Sequence, residues 1–210
     1  MINILKFGHA LKMVNKMAHF TKIKTRISDL FILEPVLFED ERGYFLEEYS
    51  EKEFIKLGLT MKFVQSNEVM SKKNVLRGLH FQVKHPQGKL IRVVQGEIYD
   101  VVVDLRTDSK TYGEWLGVEL SSKNKRQLYI PEGFAHGYFV KDDNTNVCFK
   151  VSDYWYPENE IGIPWNDVSL NIDWKIPEDI VPIIAEKDMH YLPINQTIMK
   201  RGKDENIINS

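Results

Sequence analysis

The sequence predicts an all-β protein whose short antiparallel strands close into a jelly-roll barrel. Between about residue 24 and residue 175, most of the chain consists of strand-sized segments rich in β-branched and aromatic residues. Turn-forming residues separate these segments at short intervals. Only two stretches, SEKEFIKLGL and PEDIVPIIAEKD, have an apolar spacing typical of helices. A barrel of this type encloses a ligand cavity at its mouth, so we expect the functional residues there.

The clearest predicted strands follow one another through the middle of the chain. In order they are VLRGLHFQV, KLIRVVQ, EIYDVVVDLR, EWLGVELS, RQLYIP, HGYFVK and NVCFKVSDYW. Polar or glycine-containing turns separate them, at 96, 107–112, 121–124, 132–133 and 142–144. Within the first of these strands, Gly78 predicts a bulge, because Arg77 and His80 can both face a cavity only if strand alternation is interrupted between them.

The composition indicates one globular domain of 210 residues, with 43% hydrophobic residues and a net charge of -2. This near-neutral balance argues against a nucleic-acid partner. The single cysteine, Cys148, excludes an intrachain disulfide framework, and lysines interrupt the apolar residues near the N-terminus. We therefore expect a cytoplasmic protein with no membrane partner. Residues 1–23 are predicted to be an N-terminal extension, 24–195 the domain and 196–210 a polar tail.

Two motifs resemble those of cupins, which are double-stranded β-helices. HFQ at 80–82 is followed by Lys89 and Gly96, and PEGFAH matches the second cupin pattern, Pro-x-Gly-x-x-His. Metal-binding cupins have His-x-His and then Glu in the first motif. Here Gln82 stands at the second His position and Lys89 at the Glu position. Because an ammonium group cannot ligate a divalent cation and would repel it, we expect no metal at this site.

A metal-free cavity with His80, His136 and Lys89 suits the abstraction of a proton next to a carbonyl. Histidine titrates near neutral pH and is a suitable base, and a lysine can stabilise the enolate oxygen that forms. Taken singly, each histidine would be interpreted as a hydrogen-bonded core residue. The two histidines together with the lysine favour catalysis, whereas His85, beside Pro86, is expected at the surface.

With these motifs, the sequence resembles the dTDP-4-dehydrorhamnose 3,5-epimerase family from about residue 24 to residue 190. The segments that carry the resemblance are FEDERGYFLE, FVQSN, NVLRGLHFQ, QGKLIRVVQGEIYDVVVDLR, TYGEWLGVELSSKNKRQLYIPEGFAHGYFV and GIPWNDVSLNIDW. The resemblance implies a cofactor-free homodimeric cupin. Its substrate would be a nucleotide-diphospho 4-keto sugar, dTDP- or GDP-linked, epimerised through an enolate at C3, at C5 or at both. Such sugars are precursors of surface polysaccharide, including capsule and lipopolysaccharide.

The resemblance also implies roles for individual residues. His80 would be the base, Asp188 the carboxylate that orients it, and Lys89 the group that stabilises the enolate. The implied substrate-binding residues are Arg77, Arg42, Glu47, Gln65, Asn67, His136 and Trp155. Without the resemblance, Arg42 would be interpreted as an ion pair with Asp40 or Glu41, and Trp155 as a core residue.

One position departs from the family pattern. Where the family has a Tyr that protonates the enolate from the face opposite the base, this sequence has Phe149. Tyr138, in AHGYF, stands where relatives usually have Phe. We therefore expect Tyr138 to be the acid, its hydroxyl having moved between neighbouring strands. If water reprotonates instead, the enzyme is expected to invert one centre only.

Three alternatives remain open at this stage. A nucleotide-sugar 3,4-ketoisomerase would share the base and move the carbonyl. A non-catalytic sugar-nucleotide-binding cupin would account for Phe149, although binding alone requires no base. A metal-dependent cupin oxygenase is disfavoured by Gln82 and Lys89.

Overall fold

A computed structural model describes residues 19–196 of the chain, in which the strands form two sheets and a separate hairpin. The strands are β1 (Phe20–Lys24), β2 (Phe31–Pro35), β3 (Leu37–Asp40), β4 (Gly43–Leu46), β5 (Gln65–Ser71), β6 (Val75–Gln82), β7 (Lys89–Gln95), β8 (Glu97–Asp104), β9 (Trp115–Ser121), β10 (Gln127–Ile130), β11 (Phe134–Val140), β12 (Thr145–Val151), β13 (Glu160–Gly162) and β14 (Ile183–Ile184). The first sheet has the order β1-β2-β10-β7-β12-β5. The second has the order β13-β6-β11-β8-β9, and β14 also pairs with β6. The predicted all-β class is confirmed.

The core lies between the two sheets because strand alternation directs one row of apolar side chains from each sheet inward. Ile91 and Leu128 of the first sheet belong to the same buried cluster as Val102 and Leu120 of the second. Successive strands from β6 to β8 and from β9 to β12 cross between the sheets, as in a jelly roll. This crossing brings side chains from both sheets to one cavity.

The second sheet is covered on its outer face as well, which explains why β8 is buried along most of its length. Val101 and Val103 point outward and pack with Ile163, Leu170 and Trp174 from the segment that follows β13. A strand that is buried on both faces is expected to be a continuous apolar run, as EIYDVVVD largely is. The segment that follows β13 also reaches β6, with which its strand β14 pairs.

One of the two predicted helices is present and the other was a wrong prediction. Helix α1 spans Glu51–Lys56 and buries Phe54. The segment 177–188 instead contains β14, which pairs with β6 in parallel, and a short 3-10 helix at Glu186–Met189. Pro182 interrupts the segment before a helix could form across it. Ile180 and Ile184 pack against the outer face of the second sheet, whereas Ile183 is exposed.

The predicted ends of the domain stay a prediction. Strand β1 begins at Phe20 and pairs with β2, and residues 1–18 and 197–210, with most of the expected extension and tail, lie outside the described residues. Within residues 19–196, no helix is long and apolar enough to cross a membrane.

Candidate active site

A cavity of about 700 Å³ opens between the two sheets. It is lined by side chains from β5, β7 and β12 of the first sheet, from β6, β11 and β13 of the second, and from the segment around Asp188. The predicted site residues that line it are Gln65, Asn67, Arg77, His80, Lys89, His136, Tyr138, Trp155 and Asp188. Apart from Arg42 and Glu47, the structure therefore brings the predicted site residues together.

His80 and Asp188 form a hydrogen-bonded pair on one wall of this cavity. The His80 Nε2 atom lies 2.8 Å from Asp188 Oδ1, and the backbone N–H of Gly78 donates to Asp188 Oδ2 at 3.2 Å. Burial raises the pKa of Asp188, but the contacts with His80, Gly78 and Tyr191 outweigh it and keep the carboxyl pKa below its usual value. A carboxylate at Nε2 favours the proton on that atom of the neutral ring, which leaves Nδ1 free to accept a proton.

The predicted bulge at Gly78 is confirmed and brings Arg77 and His80 to the same cavity. Gly78 has φ +100, and the pairing of β11 with β6 shifts register between His136 and Tyr138. Both Arg77 and His80 line the cavity as a result. The Arg77 Nε donates to the Ser71 hydroxyl at 3.1 Å.

Lys89 extends into the cavity from the first sheet, which lies opposite His80. Burial lowers the pKa of Lys89 to about 8, against the opposing negative charges of Glu160 and Asp100. Both carboxylates are absent from the sequence-based prediction. Among residues 19–196 no group of three or more His, Cys, Asp or Glu is arranged for a metal ion. The expectation of a metal-free site stays a prediction.

His136 forms a second pair with a buried carboxylate. Its Nε2 atom lies 2.9 Å from Asp100 Oδ2, and on β11 it stands directly opposite His80 of β6. Burial lowers the pKa of His136 and raises that of Asp100, although each opposes the shift of the other. His136 is therefore suited to contact a substrate as a neutral hydrogen-bonding group.

Tyr138 lines the cavity. Its strand is not a spatial neighbour of the strand that carries Phe149, so the expected move between neighbouring strands was wrong. Strands β11 and β12 are consecutive in the chain and lie in different sheets, so Tyr138 is on the wall of His80 while Phe149 is on the facing wall. Burial raises the pKa of Tyr138 to about 12, although Arg77 and a hydrogen bond with Ser71 oppose this. The hydroxyl consequently keeps its proton at neutral pH.

The rim of the cavity carries polar groups, of which Glu160 and Lys187 were not predicted from the sequence. Trp155 Nε1 donates to Glu160 at 2.9 Å, and Lys187, next to Asp188, forms an ion pair with the same carboxylate. Gln65 donates to Asn67 at 2.7 Å. A spacing rule could not have found Glu160 and Lys187, because they come from separate segments of the chain.

Arg42 and Glu47 do not line the cavity of their own chain, so their role in binding substrate stays a prediction. The hairpin of β3 and β4 pairs with neither sheet, and Arg42 is exposed and bound to Asp40. The ion-pair interpretation of Arg42 is thus the one seen. Glu47 lies 3.2 Å from the His19 ring.

Gln82 does not face the cavity, although it occupies the position of a cupin metal ligand. Its amide donates to the backbone oxygens of His85 and Tyr154 and accepts from the N–H of Tyr156. It fixes two loops to the end of β6. His85 is exposed, as predicted.

Known proteins are similar to this chain over most of its length. The family model described as dTDP-4-dehydrorhamnose 3,5-epimerase matches residues 24–196. The chain belongs to this family. The predicted family, its cupin-type fold and its enzyme class, an isomerase, are confirmed.

Several relatives are similar over most of their length. The dTDP-4-dehydrorhamnose 3,5-epimerase of Methanothermobacter thermautotrophicus is 50% identical over 180 residues, which cover 86% of this chain and 97% of the relative. The Legionella pneumophila enzyme, solved in complex with dTDP-4-keto-L-rhamnose, has a TM-score of 0.83 and 43% identity, over 87% of this chain and 97% of its own. ChmJ, a 3'-monoepimerase from Streptomyces bikiniensis solved with dTDP-quinovose, has a TM-score of 0.76 and 28% identity, over 85% and 89%.

Proposed function

We propose that the protein epimerises a dTDP-linked 4-keto-6-deoxy sugar by proton abstraction next to the ketone. The observation that carries the proposal is the hydrogen-bonded pair of His80 and Asp188 in a cavity that also contains the buried ammonium of Lys89. The dTDP form of the substrate is supported by the ligands in the two related structures. A GDP-linked sugar is the alternative that a binding comparison would test.

In the proposed reaction, His80 Nδ1 takes the proton from C3. The electrons of the broken C–H bond form the C3–C4 double bond, and the ketone oxygen at C4 becomes an enolate. Lys89 stabilises this oxygen by its charge, and His136 donates or accepts a hydrogen bond at the sugar. A proton delivered to the opposite face of C3 restores the ketone with inverted configuration, and His80 releases its proton to solvent.

The second step needs a proton donor on the side of the sugar opposite His80. Phe149 on the wall facing His80 has no proton to give, whereas Tyr138 is protonated and lines the cavity. We propose Tyr138 as the acid, because its ring extends from the wall of His80 and its hydroxyl reaches Ser71 of β5, a strand of the facing sheet. If it acts, Tyr138→Phe slows epimerisation by about a hundredfold to ten-thousandfold. Phe149→Tyr is the matched variant, because it adds a hydroxyl on the other wall. An unchanged rate of epimerisation in Tyr138→Phe would rule out Tyr138 as the acid.

The decisive experiment is incubation of dTDP-4-keto-6-deoxyglucose with the protein in heavy water, followed by NMR of the sugar. Deuterium at C3 alone indicates a C3 epimerase, and deuterium at C3 and C5 indicates a 3,5-epimerase. A carbonyl at C3 indicates the ketoisomerase. If the nucleotide sugar binds but shows no exchange and no conversion, the result supports a binding protein and contradicts the proposal. His80→Asn serves as the control without a base.

We further propose a cytoplasmic homodimer that supplies surface polysaccharide. A dimer is supported by the β3–β4 hairpin, which carries Arg42 and exposes Phe38, Tyr44 and Phe45. A second copy would cover these rings and bring Arg42 and Glu47 toward a nucleotide. Sedimentation velocity tests this expectation: Phe45→Glu should favour the monomer, and a wild-type monomer at micromolar concentration would contradict the dimer.

A further inference from the structure

Tyr191 lies over the two strands that position the proposed base. His80 on β6 and Gly162 on β13 are direct register partners. The Tyr191 ring meets the His80 ring edge-on, with the centroids 5.9 Å apart and an interplanar angle of 81°. The same ring covers Gly162 so closely that a Cβ atom there would overlap it. Gly162 therefore provides the space in which Tyr191 lies.

From this position the Tyr191 hydroxyl donates a hydrogen bond to the Asp188 carboxylate. That carboxylate then has three donors, the others being His80 and the Gly78 N–H. We propose that Tyr191, packed on Gly162, is a positioning residue that orients Asp188 toward His80 and limits how strongly the carboxylate attracts the protonated imidazole. The proposal rests on the proposed function of His80 as the base.

The reason is electrostatic. A phenol O–H directs the positive end of its dipole at the carboxylate and shares the negative charge that would otherwise act on His80 alone. Removing this O–H leaves more of the negative charge of Asp188 to act on the protonated His80 ring. The other titratable groups around His80 are His136 on β11 and Glu160 on β13, with Lys187 beside Glu160. Lys89 lies across the cavity. Tyr191→Phe leaves all of these side chains in place.

The test is an NMR titration of the His80 ring in the full chain, its signal assigned by its loss in His80→Asn. Tyr191→Phe keeps the ring on Gly162 and removes only the hydroxyl. We expect its His80 titration midpoint to rise by about half a pH unit to one unit. Tyr112→Phe, an exposed tyrosine in the turn between β8 and β9, is the matched control and should leave the midpoint unchanged. A midpoint that stays or falls in Tyr191→Phe overturns the proposal.

Gly162→Ala is a second, independent variant. The added methyl displaces the Tyr191 ring and moves its hydroxyl away from Asp188. Gly162→Ala should therefore raise the His80 midpoint although Tyr191 keeps its hydroxyl. In the Tyr191→Phe background it should add little, because the hydroxyl is already absent. Full additivity of the two shifts would overturn the proposal. If Gly162→Ala does not fold, the Tyr191→Phe titration decides alone.

Turnover separates this proposal from the function on which it rests. If the protein is the epimerase, the acidic limb of kcat/KM in Tyr191→Phe moves to higher pH with the His80 midpoint, while kcat at high pH changes by less than about threefold. A shifted midpoint without turnover in any variant contradicts the epimerase function and leaves the role of Tyr191 intact. Turnover with an unshifted midpoint contradicts only the role of Tyr191.

Discussion

At the scale of single residues, Lys89 makes the chemistry depend on pH. Because burial lowers the pKa of Lys89 to about 8, the amine loses its proton as the pH rises through that value. Only the charged form stabilises an enolate. We therefore expect kcat/KM to fall above about pH 8. The Lys89→Arg side chain stays charged up to pH 10, so the kcat/KM of this variant should not fall between pH 8 and pH 10.

The measurement is a pH profile of epimerisation between pH 6 and pH 10. Lys89→Met should lose about a hundredfold to a thousandfold in kcat and no longer show the alkaline limb. Lys110→Arg, an exposed lysine in the turn between β8 and β9, is the matched control. An alkaline limb that persists in Lys89→Met would mean that another group produces it.

The site residues differ in how far the sequence alone could reveal them. His80, Lys89 and His136 were predicted because they lie in the two cupin-like motifs, HFQ with the lysine that follows it, and PEGFAH. Asp188 is 108 positions from His80 and was found only through the family resemblance. Asp100 was missed, because a single Asp inside the apolar run of β8 gives no sign of the histidine on the neighbouring strand that it binds.

At the scale of elements, the bulge in β6 makes the geometry of the site depend on Gly78. A Cβ at this position would lie 2.6 Å from the His136 oxygen and 2.7 Å from the Gly137 Cα, both backbone atoms, and φ is +100. We expect Gly78→Ala to lower the free energy of unfolding by about 3 kcal/mol or more. Epimerisation should fall with it, because Arg77 and His80 would no longer both face the cavity.

Urea unfolding of the wild-type protein and of Gly78→Ala measures this difference in the free energy of unfolding. Gly113→Ala is the matched control, since Gly113 also has positive φ, at +79, but nothing lies within 4 Å of an added Cβ. It should cost only about 1–2 kcal/mol, the strain of the backbone conformation itself. Equal losses in the two variants would mean that close packing against β11 is not what requires glycine at position 78.

Element types were predictable where local chemistry decides them. Runs such as KLIRVVQ became β7, and the interrupted alternation at Gly78 became a bulge. The segment 177–188 was misassigned because its apolar spacing fits both a helix and an irregular chain packed along a sheet. The partner that decides between them, β6, lies about a hundred residues earlier.

At the scale of the whole molecule, stability in acid depends on carboxylates that are bound in the folded state. Asp104, at the end of β8, is fully buried and accepts from the Arg106 guanidinium and from the hydroxyls of Ser109 and Thr111. Burial raises its pKa, but these donors outweigh it and bring the pKa from 3.8 to about 2. Since β8 lies between β9 and β11, protonation of Asp104 weakens the second sheet at the end of β8.

The sign of the resulting pH dependence follows from this lowered pKa. The unfolded chain binds a proton at Asp104 at a higher pH than the folded chain does, so the stabilisation is complete above about pH 4 and is lost as the pH falls toward 2. Its size is about 2 kcal/mol. Urea unfolding at several pH values should show this loss, and Asp104→Asn should be less stable at neutral pH and flatten the slope between pH 4 and pH 2. Asp108→Asn, an exposed aspartate in the same turn, should keep the wild-type slope. A slope that is equally steep in Asp104→Asn would assign the acid sensitivity of the fold to other carboxylates.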